Sequence, residues 1–305
     1  MKCSKCNREA EFQIKYAGIN LCREHFVEFV HRKVKTEIKE QVRFNKDDRV
    51  IIAVSGGKDS MMLLHEMHSI FGKWHNFEMI AVTVDEGIGD FRVKCSELAH
   101  RYARSLDIEH HTVKFKDYIG ITTDDVASVD SELKPCTYCG VFRRKVLNVY
   151  AKEMSANYLV LGLNLDDFAQ SVLMNVTRGD VARLARLAPH KRVHTGFVPR
   201  LAPLRRVLES EVRNYNEIMG IPYVNKRCPY APQAIRDEYR NFLNELEKRD
   251  PAVKFSTLNF FDKIRPMVDS EAPQLQPCEI CGEPTVGKVC KACELKMRYE
   301  KLKNR

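Results

Sequence analysis

Long apolar runs are missing from this chain: no stretch of its 305 residues approaches the ~18 unbroken apolar positions of a spanning helix, so an integral membrane protein is not expected. The opening Met1-Lys2-Cys3-Ser4-Lys5-Cys6 has no apolar core of the kind that marks a secretory signal, so none is expected. Internal repeats are absent too, beyond a weak echo between two cysteine groups at the ends. Acidic residues are the scarcer charge. Asp and Glu number 41 against 50 Lys and Arg, leaving +9, a balance that suits a polyanionic partner. Hydrophobic residues at 44% and charged residues at 30% describe a globular protein able to bury a sizeable core. At ~150 residues per domain the length fits about two domains, or one larger α/β unit with small appendages.

What the chain has in quantity is cysteine: 11 residues, an odd number, mostly in close pairs. Two sulfurs on one tight turn suit metal chelation better than a disulfide framework, and a reducing cytoplasmic location is expected. Cys3-x2-Cys6, fifteen residues, then Cys22-x2-His25 forms one four-ligand set. Cys278-x2-Cys281, eight residues, then Cys290-x2-Cys293 forms another. Each can wrap one tetrahedral Zn²⁺, and segments this short have too little core to fold without it. Cys95 stands alone and reads as a small buried hydrophobe.

Between these ends the pattern alternates strand and helix. An amphipathic helix over 27–44 carries Phe29, Val30, Val34, Ile38 and Val42 at three- and four-residue steps. Strands are predicted at 49–54, 79–84, 108–113 and 158–162, and helices at 60–70, 98–106, 142–154, 166–175, 208–219 and 233–248. This alternation predicts a doubly wound parallel α/β sheet, Rossmann-like, with ligands at the carboxyl ends of its strands. Residues 176–206 read as a basic loop, and 266–277 as a Pro-containing linker. The chain therefore divides into a zinc finger (1–30), a connecting helix (31–48), a nucleotide-binding catalytic domain (49–232), a helical extension and linker (233–270), and a zinc ribbon with a basic tail (271–305).

The sharpest motif is Ser55-Gly56-Gly57-Lys58-Asp59-Ser60, set between a buried strand and a helix. The glycines let successive amides point into one hollow, and the helix amino terminus adds partial positive charge, which makes an anion nest. Ser55 and Ser60 can donate to phosphate, Lys58 can neutralise a leaving group, and Asp59 can hold Mg²⁺ or orient a substrate hydrogen. The spacing is not that of the Walker loop. It matches the PP-loop of ATP pyrophosphatases, which split ATP between the α and β phosphates. Gly162-Leu163-Asn164-Leu165-Asp166-Asp167 reads as a second loop lining the same crevice. There Asp166 reads as a helix cap, and Asp167 is left as a Mg²⁺ or nucleotide ligand.

Cys136-x2-Cys139, placed just ahead of the 142–154 helix, and the distant Cys228 make a third cysteine set. Three thiols without a histidine make a poor structural zinc site. They suit a [4Fe-4S] cluster with one open iron, or else a persulfide relay in which one cysteine carries sulfur and another resolves it.

Taken in order, Cys3/Cys6/Cys22/His25, the SGGKDS loop, Cys136/Cys139 with Cys228, and the last four cysteines resemble the TtuA/NcsA family of tRNA 2-thiouridine synthetases across essentially the whole chain. Cys139-Gly140-Val141-Phe142-Arg143-Arg144 and 172–180 look more like the NcsA and eukaryotic cytosolic wobble-uridine branch. Leu163 stands where the family's Gly-His-Asn version of the second loop has histidine.

The resemblance implies a cytoplasmic, homodimeric tRNA sulfurtransferase using ATP, Mg²⁺, a [4Fe-4S] cluster and two Zn²⁺. Ser55, Gly56, Gly57, Lys58, Asp59 and Ser60 would bind the ATP phosphates, with Ala53, Val84, Gly162 and Asp167 around the nucleotide. Asp59, Arg143 and Lys58 would be catalytic, and Cys136, Cys139 and Cys228 would hold the cluster. Arg178, Arg183, Arg186, Lys191 and Arg192 would track the tRNA backbone. The implied reaction adenylates the C2 oxygen of a uridine, preferentially the anticodon wobble, and then transfers sulfur from free sulfide or a ubiquitin-like thiocarboxylated protein. A T-loop 2-thiouridine synthetase, a 2-thiocytidine synthetase and a non-enzymatic zinc-ribbon RNA-binding protein are the competing readings.

Overall fold

The computed structural model describes residues 1–189, 196–231, 236–270 and 274–304; Lys191 and Arg192 lie outside them. At the start, β1 (Phe12–Ile14) and β2 (Ile19–Leu21) pair as an antiparallel hairpin, and α1 (Arg23–Gln41) follows at once. The helix begins four residues before the position expected from its apolar stripe. Cys22 is its N-cap, so the Cys22-x2-His25 pair forms its opening turn. Phe26, Val30, Val34 and Ile38 are buried at four-residue steps, which fixes one face of α1 against the body.

That body is a five-stranded sheet of β3 (Arg49–Ala53), β4 (Glu78–Asp85), β5 (Glu109–Lys114), β6 (Tyr158–Leu161) and β7 (Arg200–Leu201). All are parallel, in the spatial order β5-β4-β3-β6-β7. Strand β3 is central, and its Val50, Ile51 and Ile52 have no exposed surface. Alternate residues serve opposite cores. Val50 and Ile52 pack with Val30 and Val34 of α1, with Met61 and Leu64 of α2 (Lys58–Phe71) and with Ala99 of α3 (Gly89–Ser105). Ile51 packs instead with Phe142 and Val146 of α6 (Pro135–Glu153). A central strand covered on both faces has to be apolar throughout, which is why 49–54 is legible as a strand.

Several elements differ from expectation. Helix α3 starts nine residues ahead of Leu98, and the short helices α4 (Phe115–Tyr118) and α5 (Thr123–Val129) give no periodic signal. The basic stretch 176–206 contains α8 (Val181–Ala185) and the fifth strand β7, whose two residues are too few for periodicity to reveal. Helix α6 begins at Pro135, so Cys136 and Cys139 lie within its first turns rather than ahead of it. Proline suits that first helical position, where its missing N–H has no helical partner to lose.

After α7 (Leu165–Val176) and α9 (Glu209–Met219), the expected helical extension is the pair α10 (Arg236–Arg249) and α11 (Val253–Ser270). Pro266 lies inside α11, not in a linker. It removes one helical hydrogen bond, but the fully buried Leu258 and Phe261 hold the helix against α7.

The last module, β8 (Gln276–Pro277), β9 (Pro284–Thr285) and α12 (Lys291–Lys303), is no detached appendage. Cys278, Cys290, Leu295 and Tyr299 share one core with Phe142 and Val146. Arg298 on α12 forks onto Asp130 at 2.7 and 3.2 Å, and Asp130 also accepts the Tyr138 hydroxyl at 2.7 Å. The guanidinium holds the Asp130 carboxyl well below its ordinary range despite burial. Since Tyr138 sits between Cys136 and Cys139, the terminal module braces the turn that carries those thiols.

Candidate functional site: a phosphate cradle beside three thiols

Strand order reverses at β3, because β4 lies on one side of it and β6 on the other. The crevice beyond the carboxyl ends of β3 and β6 is therefore the topological switch point. The Ser55–Ser60 loop leaves β3 there. Gly56 has φ +77°, and a side chain would place its Cβ 2.6 Å from the Cys95 carbonyl oxygen, so only glycine fits. Cys95 itself is 2% exposed. The loop is cross-braced: the Ser55 amide donates to Ser60 Oγ at 3.0 Å, and Ser60 Oγ donates to the Gly57 carbonyl at 2.9 Å. Gly57 is the N-cap of α2, so the unpaired amides of the helix's first turn face the crevice mouth.

The second loop meets the first. A Cβ on Gly162 would lie 3.0 Å from the Ser60 backbone, which is why that close approach needs glycine. Asn164 Nδ2 donates to Asp59 Oδ1 at 2.8 Å, fixing the acid of the first loop from the second. The two adjacent acids have roles opposite to expectation in one respect. Asp167 is the capping acid, closing a box with Asn164 at the start of α7, whereas Asp166 is buried and accepts from Lys254 and the Glu209 amide. Asp167 nonetheless still faces the site. Burial first, then the neighbouring Asp59, pushes its carboxyl up to about 6, and Arg236 stands 3.4 Å from it.

Lys58 Nζ is shared between Asp59 at 2.9 Å and Glu209 at 3.0 Å. Burial alone would lower its pKa, but the two carboxylates outweigh that and hold it above the ordinary lysine range. Lys58 is a fixed cation here. The asparagine amide of Asn216 holds the Lys58 carbonyl at 2.9 Å, anchoring the loop from α9.

The segments that carry the central thiols meet on the neighbouring side. The Val224 amide donates to the Gly56 carbonyl at 2.9 Å, so the segment leading to Cys228 departs directly from the phosphate loop. Cys136 Sγ contacts the Tyr230 carbonyl at 3.4 Å, and Tyr230 Oη donates to Asp124 at 2.7 Å, folding the Cys228 segment over the start of α6. Burial and the nearby Cys228 thiol both raise the Cys136 pKa, and burial raises that of Cys139. Arg143 Nη2 donates to Cys139 Sγ at 3.2 Å.

The two terminal sets are tighter. Among the described residues, Cys3/Cys6/Cys22/His25 and Cys278/Cys281/Cys290/Cys293 each bring their ligand atoms within 4.8 Å of one another. Burial opposes ionisation of Cys3, but the amides of Cys22, Lys5 and Cys6 outweigh it and bring the thiol down to about 6. The amides of Cys290, Ile280 and Cys281 do the same for Cys278. A thiolate met by amides, with three more ligands in reach, fits one tetrahedral ion. Among the described residues the three central thiols do not form such a tight set, and three thiols without a histidine suit a larger group than a single structural ion. If the C-terminal set holds a metal ion, Cys281→Ser is expected to release it and to make 276–304 protease-sensitive. Metal analysis with limited proteolysis reads both.

Sequence reasoning passed over Glu86, Arg92, Arg144, Glu209 and Arg236. The signal for Glu86 was its place, immediately after β4 and before Gly87, at the carboxyl edge where ligands bind. Arg144 is pushed down by burial and then by Arg143, Arg183, Arg186 and Arg236, and Arg200 is pushed down to about 10 by burial and Arg144. Guanidinium groups thus crowd around Arg144. Arg205 and Arg206, by contrast, are bound to Glu37 and Asp262 and serve the fold.

The family described as the PP-loop domain matches residues 30–247, and the N-terminal LIM domain of 2-thiouridine synthetase TtuA matches residues 2–27. The tRNA 2-thiolation protein NcsA of Haloferax volcanii is 36% identical, with 97% of this chain and 98% of that protein aligned. This chain belongs to the PP-loop family of tRNA 2-thiolation enzymes. Within that family, the tRNA-5-methyluridine(54) 2-sulfurtransferase of Thermotoga maritima is 32% identical over 100% of this chain and 99% of its own. The U34-tRNA thiolase NcsA from Methanococcus maripaludis, solved with its [4Fe-4S] cluster, superposes with a TM-score of 0.84 at 34% identity, covering 99% of this chain and 96% of that one. Both the α/β class and the metal-binding character of the two ends agree with the sequence reading.

Proposed function

We propose that this PP-loop enzyme converts a tRNA uridine to 2-thiouridine at the expense of ATP, with the anticodon wobble position as its target. The reading is supported by the contacts that tie the two regions: the Val224 amide donates to the Gly56 carbonyl of the phosphate loop, and Cys136 contacts the Tyr230 carbonyl beside Cys228. The amides of Gly57, Lys58 and Asp59 receive the phosphates, and Lys58 offsets charge on the departing pyrophosphate as AMP passes to the uridine C2 oxygen. Asp59 and Asp167 hold Mg²⁺, with Asn164 orienting Asp59. Ala53, Val84 and Gly162 line the nucleotide.

Cys136, Cys139 and Cys228 would hold a [4Fe-4S] cluster, and a cluster with three protein ligands would supply a binding site for the incoming sulfur. Arg143 keeps positive charge at Cys139 and at the mouth. The arginines 144, 178, 183, 186, 200 and 236 take the RNA phosphates of a single-stranded loop whose uracil is splayed into the crevice. The four-ligand sets at the two ends hold Zn²⁺. The sulfur source is free sulfide or a ubiquitin-like thiocarboxylated protein, and the working form is a cytoplasmic homodimer. No described helix is long and apolar enough to cross a membrane.

Anaerobically reconstituted protein with ATP, Mg²⁺, sulfide and unmodified tRNA is expected to yield 2-thiouridine at the wobble position, read by nucleoside and fragment mass spectrometry. Thiolation confined to the T-loop would move the target. 2-Thiocytidine, or no thionucleoside, would sink the reading.

A further inference from the structure

Glu86 is 1% exposed at the end of β4 and lies between two guanidinium groups. One carboxylate oxygen is 2.8 Å from Arg143 Nη2, and the other pairs with Arg92 Nε. Arg92, itself 5% exposed, reaches on with Nη1 to the Ser55 carbonyl at 3.1 Å, the first residue of the phosphate loop. Arg143 reaches on to Cys139 Sγ at 3.2 Å. The result is a chain of contacts from Ser55 through Arg92, Glu86 and Arg143 to Cys139, in which Glu86 is joined to both arginines by ion pairs and makes no hydrogen bond on its Arg92 side. Its centre cannot drift, because the Glu86 carbonyl accepts from the Thr123 amide at 2.8 Å. Gly87, at φ +64°, is wedged so closely that a Cβ would lie 2.5 Å from Thr122. One buried carboxylate between two guanidinium groups leaves one excess positive charge, on the arginine that faces the thiol. Removing the carboxylate would leave the buried Arg92 guanidinium without its counter-charge, beside that of the half-exposed Arg143, displacing both ends of that chain of contacts together.

We infer that Glu86 is the positioning residue that couples the nucleotide loop to the thiol centre, so that phosphate binding at Ser55–Ser60 tightens the grip on whatever Cys136, Cys139 and Cys228 hold. The inference rests on the thiolation reading for the cluster, but its test involves neither tRNA nor turnover, so either can fail without the other.

The experiment measures loss of the visible cluster band to a chelator, anaerobically, with and without Mg²⁺ and the α,β-methylene analogue of ATP. In the unmodified protein the nucleotide is expected to slow loss by about fivefold, at the low end of couplings between distinct sites. In Glu86→Gln and Arg92→Lys that ratio falls to about one, whatever happens to the basal rate. A merely structural role would change the two rates alike and keep the ratio. Arg92→Lys preserves the buried charge, so it decides the matter if Glu86→Gln does not fold. Protection retained in the folded variants, or absent from the unmodified protein, overturns the coupling.

Discussion

Serine in place of any one of Cys136, Cys139 or Cys228 is expected to abolish thiolation, by at least ~100-fold, because even outer partners of metal ligands cost 10–100-fold when lost. A hydroxyl is isosteric with a thiol but a poor ligand for iron, and three ligands leave no spare. The effect on folding should be small. Cys136 and Cys228 are only partly buried. Cys139 is buried, but Arg143 can donate to a serine oxygen as it does to Sγ. The distinguishing result is a protein with normal zinc content and thermal midpoint that no longer retains iron. If Cys228→Ser keeps both iron and activity, the three-thiol site is wrong and a two-cysteine persulfide relay takes its place. Full cluster retention with activity lost in one variant alone would point the same way.

Lys58→Ala is the second large effect. Its ammonium offsets Asp59 and Glu209 at about 3 Å each, at the start of the helix whose opening amides are proposed to receive the phosphates. Without it, two carboxylates face the incoming triphosphate with no cation between them, and the charge that builds on leaving pyrophosphate has no nearby lysine. Losing one preorganised donor to developing charge typically costs ~10²–10³ in rate. The expected outcome is a drop of that size in ATP-dependent thiolation with the iron–sulfur band intact. Lys58→Arg should recover little, because a planar fork does not fill the pocket of a compact ammonium. Pyrophosphate release measured with tRNA present checks it. Turnover within about threefold of the unmodified protein would remove Lys58 from the chemistry.

The legible parts of this molecule were those whose chemistry demands neighbours in sequence. A tetrahedral metal needs paired ligands on tight turns, so Cys3/Cys6/Cys22/His25 and Cys278/Cys281/Cys290/Cys293 announce themselves, and the structure gathers each set. An anion nest needs consecutive amides after a strand, so Ser55–Ser60 is visible for the same reason. A central buried strand must be apolar at every position, which exposes 49–54. Elements without that redundancy were missed. The two-residue β7 has no period to detect, and Pro266 reads as a breaker although buried Leu258 and Phe261 carry α11 through it. The division of labour between Asp166 and Asp167 was also beyond reach, because it depends on Lys254, 88 residues away along the chain.

Local spacing thus determined the metal-binding ends, the phosphate loop and the parallel α/β class. Only the tertiary structure decided that Glu86 and Arg92 lie between loop and Cys139, that Glu209 shares Lys58, that Arg205 and Arg206 serve the fold, and that the last module braces Asp130 and Tyr138. Each of these is a charge or hydrogen-bond partnership between residues far apart in sequence. Such partnerships are set by which helix ends meet when the sheet is covered, and no pattern of nearby residues encodes them.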